Sequence, residues 1–184
     1  MRHLDHSDPE KESPPPPIEW LRVGTTVANL ANEISERGDI IAIVGPDAAH
    51  GAPACFFPHR SEVELNTRTA FGPQTTPESV GDLTDHKQQY EFPRAVGLIA
   101  HEAFHARYSR WEASDAADQL NAEEFKAFEM LEESRIEFHG LQDVLQSSST
   151  GCSETFVSKY LMDFSAISSR LDCLFNSWFT NLAL

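Results

Sequence analysis

At 184 residues the chain is long enough for one domain with a real core and little more. Hydrophobic residues make up 40% of it and charged residues 23%, the balance of an ordinary globular protein. Acidic residues outnumber basic ones 29 to 14, a formal net charge of −15 that argues against nucleic acid or an anionic membrane as the main partner, since both need a basic patch.

Residues Met1 to Pro17 are polar and end in four consecutive prolines, which predicts a disordered Pro-rich tail over 1–17 without the apolar stretch of a secretory signal. His3 and His6 fall in this tail and are expected to be solvated. No segment approaches the roughly 20 apolar residues of a membrane span. Cys55, Cys152 and Cys173 form no CxxC pair, so reduced thiols and a cytoplasmic setting are expected. The sequence sets no oligomeric state.

A domain is expected over 18–145. Trp20, Val23, Val27, Leu30, Ala31 and Ile34 recur at steps of three and four, predicting a helix over 19–37 with Gly38 as its stop. Ile40 to Val44 is a short continuous apolar run, read as a buried strand ended by Gly45-Pro46. Asp47 to Pro53 reads as loop, and Cys55-Phe56-Phe57 as the start of a second strand broken by Pro58. Ser61 to Thr67 alternates, with Val63 and Leu65 opposed to Glu62, Glu64 and Asn66. That predicts a half-exposed edge strand, a place where an extended peptide could add by strand pairing. Ala70 to Phe92 is rich in Gly and Pro and reads mostly as loop, with Asp82, Asp85 and His86 as solvated polar residues.

The chemistry concentrates in His101-Glu102-Ala103-Phe104-His105, entered through Pro93, which suits a first helical turn. At about 3.6 residues per turn, positions four apart stack on one helical face, so His101 and His105 can reach one metal ion. Glu102 lies about 100° round the helix, placed to hold a water and take its proton as general base. This is the HExxH pattern of zinc hydrolases, and uncharged Ile99, Ala100, Ala103, Phe104 and Ala106 suit a buried helix. The plain alternative is an amphipathic core helix whose His and Glu only hydrogen-bond.

A catalytic zinc site takes three protein ligands and a water. The position six residues after His105 is Trp111, so a third histidine is not supplied there. Asn121-Ala122-Glu123-Glu124 resembles a capping box and predicts a helix to about His139, stopped by Gly140, with Phe125, Phe128, Leu131 and Ile136 as its apolar side. Glu132 shares the side of Phe128 and Ile136 and is favoured as third ligand, with Arg135 a turn away to orient it. Glu133 is the alternative ligand, with Glu137 one turn on orienting a histidine. On the reading that favours Glu132, Glu129, Glu133 and Glu137 form a solvated stripe, and if neither Glu132 nor Glu133 serves, Asp115 or Asp118 is the fallback. Tyr108 is a candidate to stabilise an oxyanion. Residues 146–153 read as a Ser-rich linker, and 154–184 as an amphipathic helical segment carrying Phe156, Tyr160, Leu161, Phe164, Ile167, Leu171, Leu174, Phe175 and Trp178.

The run from His101 to Arg107, Ser109-Arg110-Trp111, and the run from Leu131 to Glu137 together resemble the zinc metallopeptidase-like domain found beside von Willebrand factor A-like domains in bacterial proteins. In layout the resemblance covers about Trp20 to Gly140. It implies an α+β, zincin-like fold of gluzincin type: a small mixed sheet with an HExxH active-site helix and a following Glu-bearing ligand helix. It further implies Zn2+ held by His101, His105 and one glutamate of the second motif. The activity expected is a zinc metallopeptidase acting on a peptide or protein substrate through a zinc-activated water and Glu102. The competing expectation is a zinc-stabilised binding or regulatory module without turnover.

Overall fold

The structure, a computed structural model, describes residues 17–109 and 120–148, with the backbone alone for 144–148. The expected tail up to residue 16, Asp115, Asp118, and the segment 149–184 lie outside the described residues. The architecture is α+β. Three short strands form one mixed sheet in the order β1 (Ile41–Gly45), β3 (Glu62–Asn66), β2 (Ala54–Phe57). β3 runs parallel to β1 and antiparallel to β2.

A 3-10 turn over Ile18–Trp20 leads into α1 (Leu21–Ser35), whose Val23, Val27, Leu30 and Ala31 are buried as their periodicity predicts. A Cβ on Gly24 would come 3.1 Å from the Ala42 carbonyl, so α1 lies directly on β1. The helix ends before Gly38. Glu36 takes the left-handed conformation at φ 55° and its N–H caps the last turn. Asn32 then fixes the exit, its side chain donating to the Ile40 carbonyl at 2.9 Å and accepting from the Ile40 N–H at 3.0 Å.

Two strand expectations change places. The Ile40–Val44 run is an edge strand, starting at an exposed Ile41. The alternating 61–67 segment is the central strand, with all five residues of β3 buried. Alternation made Glu62 and Glu64 look solvated, but Arg60 pairs with both, at 3.0 and 3.4 Å. Glu64 also accepts the Ala49 N–H at 2.6 Å, from a turn over Ala48–Gly51 with Ala49 and His50 in left-handed backbone. With both sides of β3 paired, strand addition there is excluded.

α2 (Thr67–Ala70) follows, capped by Asn66. The next loop is anchored by buried Val80 and Leu83, and Arg22 holds it through the Val80 carbonyl at 2.7 Å. Asp82 accepts from Thr84, and Asp85 caps α3 (His86–Glu91), so these acids organise local turns at the surface. α4 (Pro93–Tyr108) starts at Pro93 as expected and runs through the centre of the molecule against α1, β2 and α5.

α5 (Ala122–Ser148) opens with the capping box: Asn121 Oδ1 accepts from the N–H groups of Glu123 and Glu124, and Glu124 accepts from the Asn121 N–H at 2.9 Å. It does not stop at Gly140. A Cβ there would collide with the Phe104 ring, so Gly140 marks the point where α5 crosses α4 at closest approach. Among the described residues no helix is long and apolar enough to cross a membrane.

Candidate metal centre

His101 and His105 lie one turn apart on α4, ring centroids 4.9 Å apart and planes at 84°. Facing them from α5 is the carboxylate of Glu133. Its Oε2 lies 3.1 Å from His101 Nε2 and its Oε1 3.4 Å from His105 Nε2. One ligand atom from each residue falls within 4.8 Å of the others. Both imidazoles therefore turn Nε2 toward one point, and both are held from behind at Nδ1. His101 Nδ1 sits 3.5 Å from Glu137 Oε1, and His105 Nδ1 is 2.9 Å from Ser109 Oγ. Holding the second ring nitrogen is how a protein sets tautomer and ring orientation in a metal-binding histidine.

The residues fit a metal ion on three counts. With bonds of about 2.0–2.1 Å, a tetrahedral zinc site has ligand-to-ligand edges of about 3.3 Å. The two His–Glu133 separations, 3.1 and 3.4 Å, run to its two different oxygens, and with one ligand atom from each residue within 4.8 Å of the others the three can close on one ion by small side-chain shifts. Next, Oε1 of Glu133 and Oε2 of Glu137 are buried without a hydrogen bond, a costly state for a carboxylate oxygen unless a cation is near. Finally, Glu102, Glu133 and Glu137 bring more negative charge to the two imidazoles than one protonated ring can balance.

The same imbalance sets the direction in which both groups are shifted. Burial works against charge on His101, but Glu133 and Glu137 outweigh it and hold the imidazolium well above its ordinary range. Burial likewise opposes ionisation of Glu133, yet His101 and His105 hold its carboxyl far below the usual range.

Glu132, favoured from the sequence, points elsewhere. Its carboxylate is gripped by Arg135 at 2.7 and 2.8 Å, and Arg135 also donates to the Tyr108 carbonyl. The expected Glu132–Arg135 pair is present at the end of α4, where the Glu132 carboxylate also accepts from Ser109, the group that holds His105 Nδ1. The stripe of Glu129, Glu133 and Glu137, expected in solvent, is the side turned to α4, together with buried Ile136 and Gly140. Leu131, expected on the apolar inner side, is exposed.

Glu102 is 3% exposed and stands on α4 beside the two histidines. Burial, then the carboxylates of Glu102 and Glu64, push the Cys55 thiol on β2 up to about 12. Tyr108 is committed away from the imidazoles, its hydroxyl donating to Asp143 and its ring lying against Arg107 and His139. Ser109 was not singled out as a support for His105. Its position four residues on, one turn along the helix, is the signal that could have found it.

No family model, no curated protein and no solved structure matches this chain.

Proposed function

We propose that the chain is a zinc-dependent metallohydrolase of zincin-like architecture, most simply a peptidase, with His101, His105 and Glu133 as ligands and Glu102 as general base. The observation that carries this reading is the convergence of two imidazoles and one carboxylate, with one ligand atom from each within 4.8 Å of the others. Zinc bound there supplies Lewis acidity toward a carbonyl and toward water. The chain's own residues do the rest. Glu137 and Ser109 keep the imidazoles aimed at the metal. Glu102 accepts a proton from the attacking water and delivers it to the leaving amine. Burial of Glu102 keeps that exchange away from bulk solvent.

The burial of Glu102 also favours a second reading, a module that keeps a metal for stability without turnover. The two separate in one experiment. On the enzyme reading, zinc-loaded chain cleaves members of a broad peptide library. Glu102→Gln keeps its zinc and loses about 10²–10⁴-fold in rate. Zinc-loaded wild type that cleaves nothing, or Glu102→Gln as active as wild type, contradicts the enzyme reading.

A further inference from the structure

Ser109 has a single hydroxyl proton and two polar neighbours within reach of it. Its Oγ lies 2.9 Å from His105 Nδ1 and also hydrogen-bonds the Glu132 carboxylate. An ionised carboxylate can only accept, so the proton goes to Glu132 and the Ser109 oxygen is left as an acceptor. A neutral His105 must then donate from Nδ1. That leaves its lone pair on Nε2, the atom 3.4 Å from Glu133. It is the tautomer in which His105 can share an ion with His101 and Glu133.

We propose that Glu132 is a positioning residue of the metal centre: through the Ser109 hydroxyl it selects the His105 tautomer that presents Nε2 to the metal. The proposal rests on the metal reading and deepens it. Arg135 completes the device. Its guanidinium grips both Glu132 oxygens, at 2.7 and 2.8 Å, and so keeps the carboxylate turned to Ser109. It also donates to the carbonyl of Tyr108, the residue before Ser109, tying the same turn of α5 to the end of α4. His101 has its support from a carboxylate directly, Glu137 at 3.5 Å. His105 has its own one hydroxyl removed. Without Glu132 the Ser109 O–H is free to turn and donate to Nδ1, and the ring proton then sits on Nε2, where it blocks the metal. A plain i,i+3 ion pair on the helix surface would leave the imidazole indifferent to Glu132.

Zinc affinity of the full chain, read by competition with a chelator, tests this. Ser109→Ala and Glu132→Ala are each expected to bind zinc about 10-fold more weakly than wild type, the lower end of what such supports cost, and both still fill at saturating zinc. The double variant is expected to be no weaker than the worse single one, because the two residues act through one proton. Ser109→Thr, which keeps the hydroxyl, retains wild-type affinity, and with Ser109→Ala it decides the matter if Glu132→Ala unfolds. In nitrogen–proton NMR spectra of the zinc-loaded chain, the His105 Nδ1–H is expected to be resolved in wild type and lost to solvent exchange in Ser109→Ala. A role in folding alone would not move that signal. Unchanged affinity in both single variants, or losses that multiply in the double one, overturns the relay and leaves the metal centre standing. Failure of Glu132→Ala to fill at saturating zinc makes Glu132 a ligand and overturns it as well. Wild type that takes up no zinc defeats the metal reading itself, and the relay with it.

Discussion

Glu133 spans both imidazoles, and with Glu137 it holds His101 toward its charged form. Because Glu133 and Glu137 raise the His101 pKa above its ordinary 6.5, the ion pair adds stability that is complete below that value. It is lost as pH rises through the elevated folded-state pKa. Zinc needs the neutral ring, so metal and proton compete. Zinc binding at pH 7 should release a proton, and affinity should rise with pH until His101 is fully deprotonated. Calorimetry in buffers of different ionisation enthalpy reads this directly, and uptake without proton release contradicts it. His101, Glu102 and His105 were legible because their spacing alone puts them on a helix. The third carboxylate was ambiguous. Buried Ile136 has Glu132 four residues before it and Glu133 three before it, and both spacings share a face. Only the crossing with α4 picks Glu133.

The crossing depends on one missing side chain. In an open helix, Gly→Ala gains about 1 kcal/mol. At Gly140 the added methyl meets the Phe104 ring, and overpacking of this kind costs about 1–3 kcal/mol, sometimes more. With ring atoms 2.3–2.5 Å from the added carbon the cost sits at the upper end of that range, so Gly140→Ala is expected to lower stability by about 2 kcal/mol net, seen as a lower urea midpoint at unchanged slope. A raised midpoint would mean that the helices can part without loss. Gly140 reads as a helix stop in the sequence, because a glycine serving close packing and a glycine ending a helix look alike. β3 was misplaced for a related reason. Its two-residue alternation correctly separates Val63 and Leu65 from Glu62 and Glu64. It does not show that Arg60 and the Ala48–Gly51 turn cover the acidic face. The capping box at Asn121 and the Pro93 start of α4 depend on local backbone chemistry, and both were read correctly.

Taken whole, the molecule is a strongly acidic chain that turns part of its negative charge inward, onto α4, and presents apolar side chains outward on α5. A bound dication should therefore stabilise it. Free zinc at about a thousand times its dissociation constant contributes about 4 kcal/mol, or about 8–16 °C in Tm for a domain of this size. Chelation should remove that increment and zinc should restore it; a Tm indifferent to both would leave the buried Glu133 and Glu137 oxygens unexplained. The central claim, that His101, His105 and Glu133 form one metal centre, is tested most directly by the metal content of purified, zinc-dialysed protein. Wild type is expected to hold about one zinc per chain, Glu132→Ala to hold nearly as much, and Glu133→Ala almost none. Zinc-free wild type, or full zinc in Glu133→Ala beside loss in Glu132→Ala, would contradict it.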